Sequence, residues 1–202
     1  MNTSRTPGLR VIVLAAGFST RLGSPKALAR VHGVSLLRGT LKLAASLRTG
    51  GIVVVAPRNA ARFRIESRGI KAAFGANANR GSGLSSSVRR GISAARYCRG
   101  VLLLPVDLAY LSEREVGRLV SRWKGAQRKV VARRVDGNGA APLILPRWLY
   151  SESRRISGDV GLRDLLRQLP AGSLVMMPLP SAAFDVDTSK DLNAARRRFR
   201  RR

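Results

Sequence analysis

The 202-residue sequence contains one cysteine, one histidine and only 11 carboxylates, set against 38 lysines and arginines. Cys98 cannot close an internal disulfide and has no second cysteine with which to form a metal knuckle, which is compatible with a reducing compartment. His32, the single histidine, reads as a surface or loop residue. No stretch approaches 18 consecutive apolar residues, and the opening MNTSRTPGLR lacks the apolar core of a signal peptide. The expectation is a cytoplasmic protein with no membrane association. Internal repeats, long linkers and low-complexity segments are also missing, apart from the arginine-rich end.

What is abundant is positive charge, a formal +27. The closing RRRFRRR supplies six of these charges, and the rest is spread over the body of the chain. Such a surface attracts anions, whether nucleic acid or an anionic substrate, although arginine on solvated faces accounts for much of it equally well. The length and the 45% hydrophobic content suit one domain, placed at residues 1–195, followed by a basic tail at 196–202 expected to be disordered.

Short, continuously apolar runs punctuate the chain: Val11 to Leu14, Ile52 to Ala56, Val101 to Pro105, Lys129 to Ala132 and Leu174 to Met177. Apolar residues without alternation are the pattern of strands covered on both faces. Between them lie helical stripes. Leu37, Leu41 and Ala44 share one face, and Val116, Leu119, Val120 and Trp123 another, with Ser112 and Glu115 spaced as a capping box. Leu162, Leu165, Leu166 and Leu169 mark a third, entered at Asp159 and left at Pro170. Strands alternating with helices specify an α/β sandwich around a largely parallel sheet.

In such sheets ligands bind beyond the carboxyl ends of the strands. There the first run opens into Ala15, Ala16 and Gly17, small enough for close backbone approach, and then Arg21, Gly23 and Lys26. Free N–H groups with two cations suit a triphosphate. Neither G-x-x-x-x-G-K-[ST] nor G-x-G-x-x-G is present, so this is a third solution to phosphate binding.

The stretch resembles the signature of the MobA-like nucleotidyltransferases, L-A-[AG]-G-x-S-x-R-x-G-x-x-K, through Leu14, Ala15, Ala16, Gly17, Ser19, Arg21, Gly23 and Lys26. GLSSSVRRG is similar to the family's nucleotide segment and places Gly83, Ser86 and Ser87 at base and ribose contacts, with Gly91 as its closing glycine. LLLPVDLAYL puts Asp107 at the magnesium aspartate, and FDVDTSKDL puts Asp187 at a second metal contact. GDVGLRDLL resembles the acceptor-side segment, carrying Gly158, Asp159 and Arg163. The resemblance implies a Rossmann-like three-layer sandwich with a mostly parallel mixed sheet, of the nucleotide-diphospho-sugar transferase type.

It also implies a magnesium-dependent transfer of a nucleotide onto a phosphorylated acceptor, with Arg21, Lys26 and Asp107 catalytic. The L-A-A-G form looks like the branch that moves CMP from CTP onto molybdopterin-type cofactors. A sugar- or polyol-phosphate acceptor is the alternative, and a non-catalytic nucleotide- or nucleic-acid-binding protein on the same fold a further one.

Clustering Asp185, Asp187 and Asp191 in a chain so poor in acids points independently to a divalent cation, since Mg²⁺ needs only one or two carboxylates besides phosphate and water. Asp191 also suits the first turn of a last helix, Asp107 could serve as a turn former, and Asp185 could do either job. Two departures stand out. Leu108 and Ala109 follow Asp107 where the family has proline, and Ala140 and Ala141 precede Pro142 where a histidine is usual.

Overall fold

The apolar runs become five strands of a seven-stranded sheet in the computed structural model, which describes residues 6–158 and 161–198. In chain order the elements are β1 (Leu9–Leu14), β2 (Arg30–Val31), β3 (Val34–Ser35), α1 (Leu36–Ser46), β4 (Ile52–Ala56), α2 (Ala61–Glu66), β5 (Ala72–Ala76) and α3 (Leu84–Ala94). Then follow β6 (Gly100–Pro105), α4 (Glu113–Lys124), β7 (Val130–Val135), β8 (Asn138–Pro146), α5 (Tyr150–Ser153), α6 (Gly161–Arg167), β9 (Leu174–Met177) and α7 (Ser189–Arg198).

The sheet runs β5-β4-β1-β6-β8-β7-β9, parallel throughout except for β8, which lies antiparallel to both β6 and β7. Successive side chains of β1 feed opposite layers, as the pleat requires. Val11 and Val13 pack with Leu37 and Leu41 of α1, Phe63 of α2 and Trp123 of α4. Ile12 and Leu14 pack with Val88 and Ile92 of α3, Tyr150 of α5 and Leu166 of α6. Both faces of the sheet are thus covered by helices, and each fully buried branched side chain contributes about 1.5–3 kcal/mol. Gly91 allows the close approach of α3, because a Cβ there would lie 2.4 Å from Cγ2 of Ile12.

The chain moves outward from β1 to β4 and β5, then returns to place β6 on the other side of β1. Strand order reverses between β1 and β6, so a crevice opens beyond their carboxyl ends. A third, smaller apolar cluster of Val186, Leu192 and Ala195 with Leu36 seats α7 beside that crevice.

Several expectations need correction. The boundary at residue 195 falls inside α7, so Arg196, Arg197 and Arg198 are helical rather than part of a disordered tail, while 199–202 lie outside the described residues. The helix after Gly161 ends at Arg167, so Leu169 falls beyond it, and Asp159 lies outside the described residues. At α4 only half of the capping box forms. Glu115 N–H donates to Ser112 Oγ, but the Glu115 carboxylate receives Ser181 Oγ–H and N–H, and Ser112 N–H turns to Ser181 Oγ. Two strands of the seven-stranded sheet, β5 and β8, and the short pair β2 and β3 were not expected.

Candidate active site

The loop after β1 is built around Ser19. Its backbone is left-handed at φ 56°, and its Oγ accepts the Lys26 N–H at 2.8 Å. The single turn Thr20–Leu22 ends at Gly23, whose φ of 71° suits glycine's freedom from a Cβ. The hydroxyl of Ser19 therefore folds the loop back so that Lys26 re-enters the crevice. A cleft of about 370 Å³ results, lined by Leu14, Ala15, Ala16 and Gly17 from this loop, and by Gly83, Leu84 and Ser87 across from it. Lys26 and Asp107 lie on its floor.

Asp107 sits two residues beyond β6. The C-terminal segment crosses the same loop, with Val186 N–H donating to Asp107 O at 3.0 Å and an antiparallel bridge between Leu108 and Asp185. This crossing delivers Asp187. Lys26 Nζ then lies 3.1 Å from Asp107 Oδ2 and 2.5 Å from Asp187 Oδ1, and Arg21 reaches Asp187 Oδ2 at 3.2 Å. The Lys26 side chain is only 16% exposed, whereas Arg21 is 70% exposed and free to follow a ligand. Burial works against the Lys26 charge, but the two carboxylates outweigh it and raise its pKa above the ordinary 10.5.

Asp185 stands apart, paired with Arg133 at 3.7 Å. Partial burial and the neighbouring Asp107 push its pKa up, opposed by Arg133. Asp191 caps α7: its Oδ2 accepts from Thr188 Oγ1, Thr188 N and Asp187 N, so it holds the backbone of Asp187 rather than entering the cleft.

The nucleotide segment divides in two. Ser87 faces the cleft, but the Ser86 hydroxyl donates to Gly83 O and accepts from Asn77, a buried side chain that also donates to Ser87 Oγ. Gly83, at φ 77°, turns the chain into α3. Gly158 O accepts Ser85 N–H, which brings the acceptor-side segment to the start of α3. Arg163 lines a separate pocket with Gly137 and Met176. Sequence reasoning missed Asn77, an unremarkable polar residue just after β5. It also missed Phe18, half-exposed on the rim of the cleft and sitting at an unassigned position inside the quoted motif.

The donor set around Lys26 is all oxygen, and two carboxylates already converge on one point cation, so the residues fit a hard divalent ion that takes its remaining ligands from phosphate and water. Among the described residues no group of three or more His, Cys, Asp or Glu side chains could hold a metal unaided.

The fold and this cleft are those of a nucleotidyltransferase. The model of the MobA-like NTP transferase domain matches residues 11–173, and the chain belongs to that family. It is 27% identical over 207 residues to the purine catabolism protein PucB of Bacillus subtilis, covering 96% of this chain and 98% of that protein. It is 28% identical over 192 residues to a probable molybdenum cofactor guanylyltransferase of Rhodopirellula baltica, covering 92% and 90%. A nucleotidyl transferase from Methanothermobacter thermautotroptrophicus superposes with a TM-score of 0.76 at 20% identity over 93% of this chain and 95% of that one. The matched region ends before Asp187, so one of the two carboxylates comes from outside it. Among the described residues, no helix is long and apolar enough to cross a membrane.

Proposed function

We propose that this nucleotidyltransferase moves CMP from CTP onto a phosphorylated small molecule of the molybdopterin-cofactor class and releases pyrophosphate. The observation that carries the reading is the Asp107–Lys26–Asp187 cluster, whose Asp107 and Lys26 line a cleft walled by the small-residue loop. An oxygen of the acceptor phosphate attacks the α-phosphorus in line, and the bond to the bridging oxygen of the β-phosphate breaks.

Lys26 and Arg21 neutralise the departing pyrophosphate, a charge-assisted contact that strengthens as negative charge develops on the leaving group. The backbone of Ala15, Ala16 and Gly17 approaches the nucleotide without side-chain obstruction, and Ser87 reaches it from the start of α3. Asp107 and Asp187 would hold Mg²⁺, which supplies Lewis-acid polarisation of the phosphoryl oxygens.

The Leu14-Ala15-Ala16-Gly17 form favours CTP. A second reading, GTP, is favoured by the guanylyltransferase name of the Rhodopirellula baltica relative. Ala140 and Ala141 in place of the usual histidine leave room for a sugar- or polyol-phosphate acceptor.

The test is pyrophosphate release from CTP, GTP, UTP and ATP with Mg²⁺, with and without a molybdopterin-type cofactor, beside Asp107→Asn. Release from CTP that needs the cofactor and disappears in the variant is the expected result. Release from GTP selects the second nucleotide, release only with phosphorylated sugars selects the second acceptor, and release unaffected by Asp107→Asn overturns the site.

A further inference from the structure

The end of the sheet opposite the cleft carries a surface that nucleotidyl transfer does not use. β6 begins there at Gly100, which is paired with Pro146 at the end of the antiparallel β8. The flanking segments are joined directly. Arg147 N–H donates to Arg99 O at 2.8 Å, and Trp148 Nε1–H donates to Arg128 O at 2.8 Å.

Two properties of this surface coincide. The first is charge of one sign: residues 95–99, 125–129 and 147–149 contain Arg96, Arg99, Arg128, Lys129 and Arg147, all exposed, and no carboxylate. The neighbouring connections at 47–51 and 67–71 add Arg48, Arg68 and Lys71, again without an acid. The cleft end, by contrast, holds Asp107, Asp185, Asp187 and Asp191.

The second property is aromatic. Tyr97 is 74% exposed and Trp148 45%. Among the described aromatic side chains only Phe18 is comparably open, and it stands at the cleft. The guanidinium of Arg96 lies 4.4 Å from the centre of the Tyr97 ring, a pre-formed cation–π layer, and the hydrogen bond from Trp148 to Arg128 fixes the indole.

We propose that the surface around Tyr97 and Trp148 binds single-stranded nucleic acid. Cations that follow a phosphate backbone, beside rings on which bases stack, are the combination that single strands require. In a duplex the base faces are hidden, so the rings would have nothing to stack on. An acidic protein would use the arginines but leave two large rings in water without a role. The inference goes beyond the transferase reading and does not depend on it, since none of these residues lines the cleft.

The test uses the full chain and a fluorescein-labelled 12-nucleotide oligouridylate, followed by anisotropy across a salt series. Replacing both rings (Tyr97→Ala with Trp148→Ala) weakens binding by roughly tenfold or more while leaving the salt slope unchanged, because stacking releases no counterions. Arg99→Glu with Arg147→Glu weakens binding and flattens the slope. The control is Arg114→Glu with Arg118→Glu, exposed positions of α4 that change net charge equally.

Wild-type protein supplies a measurement that needs no variant. Trp123 is buried and Trp148 is open, so the oligonucleotide should quench the exposed component of tryptophan emission. The proposal is overturned if the α4 control costs as much as the arginine pair, if the ring variants bind normally, or if quenching is absent. It is equally overturned if polyglutamate displaces the oligonucleotide more effectively than unlabelled oligouridylate does, which would indicate an acidic protein partner. Transferase turnover should be unchanged in the ring variants.

Discussion

Lys26 and Asp187, 161 positions apart in the chain, meet with Nζ 2.5 Å from Oδ1, and the same ammonium touches Asp107 at 3.1 Å. The lysine is thus the counter-ion of the two carboxylates proposed to hold magnesium. A divalent ion held by Asp107 and Asp187 would displace this ammonium, and Lys26 would then be available to the phosphates.

Lys26→Met separates these roles. Turnover should fall by about 10²–10³-fold, the usual cost of losing one group that stabilises transition-state charge. Without nucleotide, however, Mn²⁺ should bind the variant more tightly than the wild type, because two carboxylates lose their resident cation. Pyrophosphate release measures the first effect and electron paramagnetic resonance titration of Mn²⁺ the second. Near wild-type turnover, or equal metal affinity, would count against this account.

Two glycines of similar helical setting should respond oppositely to alanine. A methyl at Gly91 meets Cγ2 of Ile12 at 2.4 Å in a filled core, so Gly91→Ala should cost about 1–3 kcal/mol. Gly117, inside α4, has nothing within 4 Å, so Gly117→Ala should raise stability by about 0.5–1 kcal/mol through helix propensity. Urea unfolding of the two variants decides it, and the same sign for both would refute the packing argument.

Asp191 gives the acid limb of stability. The Thr188 hydroxyl, the Thr188 N–H and the Asp187 N–H hold its carboxylate below the ordinary 3.8, so the native state favours the ionised form. A depressed folded pKa contributes stability that is whole above the unfolded value and is lost as pH falls through the folded one. Asp191→Asn should therefore flatten the fall in unfolding free energy between about pH 5 and pH 2, measured by denaturant titration at each pH. An unchanged slope would mean that the Thr188–Asp191 contacts do not survive in solution.

Five strands of the sheet were legible because continuous apolar runs admit few alternatives: the inner Ile52–Ala56 and the edge Leu174–Met177 are strands to the residue. β5, with the sequence AAFGA, is half-exposed and alanine-rich, so it carries little strand signal. β8 was hidden by Pro142 within it, although Asp136-Gly137 before it is a hairpin turn with positive φ at both positions. In the site, Lys26, Asp107 and Asp187 were legible one at a time from their motifs. The resemblance implied that Asp107 and Asp187 serve one metal, but that Lys26 Nζ sits between them was not legible, because local pattern carries no record of a C-terminal segment folding back over the β6 loop. Nor does local pattern reveal that the Ser86 hydroxyl donates to Gly83 O and accepts from Asn77.

The bridge from Leu108 to Asp185 means that the second carboxylate is delivered to the site by a segment that follows every strand of the sheet in the chain. A nascent chain stopped before Asp185 already possesses every strand of the sheet but only one of the two carboxylates. A cut between Met177 and Asp185 would leave the other held by the Asp107–Val186 hydrogen bond, the Leu108–Asp185 bridge and the packing of α7. That connection is anchored by buried Leu179 and Ala182 and by the Ser181 hydrogen bonds to Ser112 and Glu115, so the same contacts that fix its path also fix where Asp187 arrives.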